Sequence, residues 1–257
     1  MKHKNIIVTG SYADNAGNAV LVSKNTRLDN IQVSFRGKNN TIIIDEYNTD
    51  IKDITVEFVS HNSVVILGKN PLFRGRIRLG HDSLVLLGDN ITTTNKAYIN
   101  CTENTTVIIG DDCMLSSNIH IRTDDAHAIY DVESGYRLNK SKDVFIGAHT
   151  WISFAAKIYG GSVIGDGSII GVNSFVKGKF PNNCTLGGIP ARILRENVAW
   201  ERPNLSLKKL PIKIDNSKKS DAFWNKTDLT RLEVPYLGEG ILRLQDSYKK
   251  YELLRRK

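Results

Sequence analysis

The stretch Asp124-Asp125-Ala126-His127-Ala128-Ile129-Tyr130-Asp131 sets one imidazole among three carboxylates. A neutral imidazole, with an ordinary pKa of about 6.5, can take a proton from a hydroxyl as its oxygen attacks an electrophile. A carboxylate accepting a hydrogen bond from the second ring nitrogen would fix the tautomer. Asp125 is the first choice for that role, with Asp124 and Asp131 as alternatives. Taken alone, the same residues also read as a solvent-exposed loop histidine. His120 and His149 lie nearby in sequence and read as outward-facing surface or subunit-interface residues, with His120 the reserve base. Three cysteines, Cys101, Cys113 and Cys184, form no CxxC pair and no even-numbered framework. They fit a reducing cytoplasm and read as small core residues rather than nucleophiles. With no HExxH stretch and no histidines at ligand spacing, no metal is expected, and nucleic acid is not among the expected partners.

The elements that must position His127 keep a six-residue beat. Ile146, Ile152, Ile158, Ile164, Ile170 and Val176 return every sixth position, and Gly147, Gly165 and Gly171 follow three of them. A period of 3.6 marks a helix and a period of 2 a half-buried strand, so this beat fits neither. One short strand and a turn per hexad predicts a β-solenoid of triangular coils, about 18 residues each, with the aliphatics stacked inside. Glycine after the aliphatic is expected at corners that take a positive φ. Weaker echoes at Asn62–Gly68, Asp82–Gly88 and Asn104–Gly110 extend the coils upstream. The beat stops between Arg122 and Lys142, which predicts an extruded loop of about 20 residues carrying His127.

The predicted organisation is an N-terminal β cap over 1–40, the solenoid over 41–190 with 122–142 extruded, and a basic extension over 191–257. A short helical segment is expected at 191–197. A second helix is expected over 240–254, where apolar residues fall at roughly helical spacing and Leu242, Leu244 and Leu253 would pack against the body. The formal charge of +8 is uneven, because residues 192–257 hold 16 Lys and Arg against 9 Asp and Glu. Such a tail reads as a solvated surface, or as a device to meet an anionic polymer or the inner membrane face. No apolar run is long enough to span a bilayer and no signal peptide is evident, so a cytoplasmic protein is expected.

With beat, loop and tail in view, the chain resembles a hexapeptide-repeat acyltransferase built as a left-handed parallel β-helix. Ile109-Gly-Asp-Asp-Cys-Met-Leu-Ser-Ser-Asn-Ile-His-Ile121 is similar to the coil before the active-site loop in the maltose and galactoside acetyltransferase branch. Val144–Ile152, Gly171–Lys177 and Gly187–Arg192 resemble the family's IGxxxWIG, GAGSVVTK and GGNPAR segments. The wording of the loop and Asn197-Val-Ala-Trp200 look most like bacterial surface-polysaccharide O-acetyltransferases, including those acting on sialic-acid capsules. The chain departs from the family pattern at Ala128, which stands for a proline, and at Ser153-Phe154, which replace Gly and a small residue.

The resemblance implies acetyl-CoA as co-substrate and His127 as general base, with Asp125 orienting it. It further implies a cofactor wall of Trp151, Ser153, Phe154, Val172, Lys177 and Arg192, and an acceptor site of Asp124, Tyr130 and Asn100. A backbone N–H after Trp151, with Ser153 the candidate, would hold the thioester oxyanion. A homotrimer with the cofactor between two subunits is implied, acting on a carbohydrate acceptor. Two rival readings are N-acetylation of a nucleotide-linked amino sugar and a non-catalytic β-helix scaffold.

Overall fold

The computed structural model describes residues 4–44, 50–69, 71–207 and 221–230. In it the hexads form a three-sided β-helix. Lys157–Tyr159 lies on the first face, Val163–Ile164 on the second and Ile169–Ile170 on the third, before Phe175–Val176 returns to the first. Strands one coil apart pair in parallel, with Ile146 opposite Ile164, Ile152 opposite Ile170 and Ile158 opposite Val176. All six side chains are buried in one continuous core. Each contributes about 1.5–3 kcal/mol relative to exposure. The upstream echoes are the second-face strands Val64–Leu67, Leu84–Leu87 and Thr106–Ile109.

The glycines serve another purpose than expected. None of Gly147, Gly165 and Gly171 has a positive φ. The left-handed corners are taken instead by Asp82, Asp112, His149, Asn173 and similar residues, mostly the short polar types that tolerate that region. The glycines are needed because coil lies on coil. Gly88, Gly110, Gly147 and Gly165 stack at the junction of second and third faces. A Cβ on Gly165 would stand 2.3 Å from Asn182 N and 2.6 Å from Pro181 C. Gly165→Ala should therefore lower stability by about 1–3 kcal/mol or more, because only backbone movement relieves the overlap. A melting temperature unchanged from wild type would contradict this.

Parallel stacking begins well before residue 40. Ala19–Leu21 already pairs with Thr41–Ile44, and Arg27–Phe35 with Asp50–Phe58. At this end of the prism, antiparallel pairing among the described residues is confined to Lys4–Ile7 and the Tyr12–Ala13 turnback. At the other end, Ala191–Arg195 is a strand and not a helix. It folds back antiparallel on Thr185–Gly188 and covers the edge that the last coil would otherwise expose. The 3-10 turn Leu205–Leu207 is the only helical element among the described residues. None of the described helices is long and apolar enough to cross a membrane. The helix expected around Leu242, Leu244 and Leu253 lies outside the described residues.

Beyond Arg195 the chain runs back along the prism as a strap. Val198 N donates to Asn183 O, and Trp200 Nε1 to His149 O at 2.8 Å. The Arg202 guanidinium reaches Asp112 and the carbonyls of Asn90 and Cys113. Four coils are thus tied by one segment, and Phe223–Asp228 joins it through Asn182 and Asn183.

Candidate active site

The extruded loop leaves the prism after the first-face strand His120–Arg122 and returns at the second-face strand Val144–Ile146. Its neck is closed by Lys142 N donating to Thr123 O at 3.0 Å. Its base is fixed by Asp124, whose carboxylate accepts from Asn100 Nδ2, from Arg122 and from Ala126 N. Asn100 is fully buried, and its carbonyl oxygen also accepts from Arg78 and the Tyr98 hydroxyl. Asn100 and Asp124 therefore brace the loop against the first face. Tyr130 lies in the same loop, exposed, in a bridge with Arg137.

A second clamp holds the far limb. Arg137 grips Glu103 with its two terminal guanidinium nitrogens, and Ser141 Oγ donates to the same carboxylate. These donors, Arg137 first, hold the Glu103 carboxyl at about 2, below its ordinary 4.5. A carboxylate depressed in the folded state adds stability that is complete above its free pKa and is lost as pH falls toward the folded value. Docking of residues 123–143 should thus weaken between about pH 4.5 and 2. In Glu103→Gln it should be weak at all pH values. Amide hydrogen exchange of the loop reads both, and identical profiles in the two proteins would contradict the clamp.

Within this frame Asn139 holds the backbone of the His127 segment, and no carboxylate among the described residues accepts from the His127 ring. Asn139 accepts from Ile129 N at 2.7 Å and donates to His127 O at 2.8 Å and to Asp125 Oδ2 at 3.1 Å. Asn139 was missed in sequence because a loop amide ten residues from its partner carries no spacing signal. Asp125 is thus engaged by Asn139, and Asp131 by Ser134 at the loop tip. The exposed His127 ring has no hydrogen-bond partner among the described residues. It is free to meet a substrate.

The two other histidines part company. His120 is exposed on the first face, edge-on to Tyr98 with ring centroids 5.6 Å apart. Partial burial, then the cations Lys157 and Arg122, push its pKa down and keep the ring neutral. His149, expected at the surface, is buried by the strap. Its ring lies between Trp200 at 4.1 Å and Phe223 at 4.6 Å, and Nδ1 donates to Asp112 Oδ2. The hexad register puts it outside the prism, as predicted, but the chain's own extension covers it.

The expected cofactor residues occupy more than one side of the prism. Trp151 projects from the third face and touches Trp200 at a centroid distance of 6.0 Å. Phe154 and Val172 are exposed one coil apart at the junction of third and first faces, joined by Asn173 N donating to Phe154 O. Lys177 stands on the edge from which the loop emerges, between Phe175–Val176 and Lys179–Phe180. Arg192 is exposed on the covering strand. Ser153 is buried and its N–H is committed to Ile170 O at 2.9 Å. The N–H groups of Phe154 and Val172 have no partner among the described residues. One chain therefore gathers His127, Asp125, Asp124, Tyr130, Asn100 and Lys177 at one edge, and Trp151, Phe154 and Val172 elsewhere.

Burial pushes the Cys101 and Cys113 thiols up to about 12, and Cys184 also upward, so none is a thiolate near neutral pH. Among the described residues no group of three or more His, Cys, Asp or Glu converges on a cation site.

No protein-family model matches the chain. It aligns at 30% identity over 196 residues with a polysialic acid O-acetyltransferase of Neisseria meningitidis, covering 76% of this chain and 91% of that one. A polysialic acid O-acetyltransferase of Escherichia coli O1:K1 is 33% identical over 138 residues. That match takes in 54% of this chain and spans about half, 45%, of the relative. Among solved structures, the polysialic acid O-acetyltransferase OatWY superposes with a TM-score of 0.66 at 26% identity, over 78% of this chain and 93% of that one. The polySia-specific acetyltransferase NeuO superposes at 0.63 and 29%, over 75% and 82%.

Proposed function

Because the chain belongs to the left-handed β-helix O-acetyltransferases, we propose that it moves the acetyl group of acetyl-CoA onto a hydroxyl of a bacterial surface carbohydrate. A polymer of sialic acid is the acceptor class its relatives favour. The observation that carries this reading is the braced loop, which presents an unengaged imidazole at a prism edge on a scaffold shared with such enzymes.

Transfer is direct. The acceptor hydroxyl gives its proton to His127 as its oxygen attacks the thioester carbonyl. The tetrahedral intermediate expels the coenzyme A thiolate, and the imidazolium returns the proton to the sulfur. The negative oxygen of the intermediate needs a preorganised donor. With the Ser153 N–H committed, the open N–H of Phe154 is the better candidate. The exposed apolar strip of Trp151, Phe154 and Val172, lined by free N–H groups, suits a pantetheine arm of alternating methylenes and amides. Lys177 and Arg192 are assigned to its phosphates. Asp125 and Asn139 hold the segment that carries His127.

Since these groups lie on different sides of one prism, the site is completed by a neighbouring copy, and we assign a homotrimer. The enzyme is placed in the cytoplasm, where three unpaired cysteines stay reduced, with the basic extension suited to an anionic membrane face. The test is incubation with acetyl-CoA and candidate glycans, following thiol release and the added acetyl group by mass spectrometry. Acetylation of sialic-acid acceptors is expected. Thiol release without an acetylated sugar, or none at all, would overturn the reading.

A further inference from the structure

The outer side of the first face carries two ladders of side chains in strict register. One runs through Gln32, Thr55, Arg76, Tyr98, His120 and Lys157. The other runs through Ser34, Glu57, Arg78, Asn100, Arg122 and Tyr159. Amides, hydroxyls, guanidinium groups and phenol rings follow one another for the length of the sheet. The outer side of the second face is quite different, with Ile43, Ile66, Leu86 and Ile108 in the corresponding column. A face built to pack against protein would look like the second, not the first.

The ladders connect two features. At one end the Asn100 and Arg122 rungs hold Asp124 and with it the loop that bears His127. At the other end lies an open groove of about 630 Å³, formed where Asn5 and Ile7 meet Gln32, Ser34, Thr55 and Arg36. Four strand steps separate Arg27–Phe35 from His120–Arg122. At about 4.8 Å per step the groove lies roughly 19 Å from the loop. Groove and ladders together carry five fixed cations, Arg36, Arg76, Arg78, Arg122 and Lys157, against the carboxylates of Glu57 and Asp124. Arg76 is paired with Glu57 and Arg122 with Asp124. Arg36, Arg78 and Lys157 have no carboxylate partner among the described residues.

From this juxtaposition we propose that the first face is a binding track for an anionic glycan chain. The groove at Gln32, Ser34 and Arg36 would be a distal subsite that holds the polymer several sugars away from the acetylated residue. The inference rests on the carbohydrate-acceptor reading and adds where the polymer lies. Guanidinium groups bind sugar carboxylates through charge-assisted hydrogen bonds, amides and hydroxyls bind ring hydroxyls, and Tyr98 and Tyr159 offer rings to apolar sugar faces. The track is built from strands of the β-helix itself, apart from the basic extension.

The test uses the full chain with Gln32→Glu and Arg36→Glu combined, two exposed positions far from the loop. Acceptors are a long polymer of sialic acid and its dimer, and polymer binding is also measured without acetyl-CoA at rising salt. KM for the polymer should rise at least ten-fold and binding should fall accordingly, while constants for the dimer and for acetyl-CoA stay within two-fold of wild type. A polymer KM within two-fold of wild type, or an equal loss on the dimer, overturns the track. If the wild-type chain acetylates no sialic-acid acceptor, the substrate reading fails, and binding alone decides the track. Anionic polymer bound by the wild type and lost in the variant supports it, and binding no stronger than to neutral dextran overturns it.

Discussion

His127→Ala should lower the turnover number by about 10²–10⁴-fold, the usual cost of removing a general base. The melting temperature and acetyl-CoA affinity should stay near those of wild type. The reason lies in the loop's construction. Its fold is held by Asn139, Asp124 and the Glu103–Arg137 pair, none of which contacts the imidazole ring. Removing the ring therefore removes chemistry and little else. The measurement is steady-state kinetics on a short acceptor together with a thermal melt. Retention of more than half the wild-type rate would shift the assignment to His120, which faces the same side and is kept neutral by its surroundings.

Mixing two inactive variants should restore activity. The His127 loop emerges between the first and second faces, whereas Trp151 projects from the third. If each site takes its loop from one subunit and its cofactor wall from the next, His127→Ala and Trp151→Ala chains complement each other. Random mixing in a cyclic oligomer gives an intact pair at about a quarter of the interfaces. At acetyl-CoA concentrations below KM, where each variant alone is nearly silent, the co-refolded mixture should approach a quarter of the wild-type rate. A mixture no more active than the sum of its parts would mean that one chain houses the whole site.

The solenoid was readable because its physical cause is local and repeated. An aliphatic every six residues has one geometric solution that buries all six from Ile146 to Val176, and interrupting the beat forces chain out of the prism. The loop follows from that alone, whereas the candidacy of His127 within it rests on the family resemblance. Parallel stacking ahead of residue 40 was harder to see. The early coils use nine-residue strands such as Arg27–Phe35 and Asp50–Phe58, and a long strand hides the hexad.

Glycine after the aliphatic was legible as a requirement, but its cause was not. Positive φ and close approach both select glycine, and only the stacked coils, with Gly165 against Asn182, separate the two. The same holds for the site. Position in the hexad says whether a side chain points out of the prism and says nothing about what arrives to meet it. His149 points outward, yet Trp200 and Phe223, 51 and 74 residues later, cover it. The Ser153 N–H was a fair oxyanion donor until the next coil supplied Ile170 O. Asn139 grips the backbone of the His127 segment because the loop doubles back on itself, and leaves the ring unengaged among the described residues. The sequence by itself determined the prism, its interruption and the residue types able to do acetyl transfer, since these follow from periodicity and side-chain chemistry. The tertiary structure alone decided which groups share an edge, because a three-sided coil separates near neighbours in sequence and joins residues one, two and four coils apart.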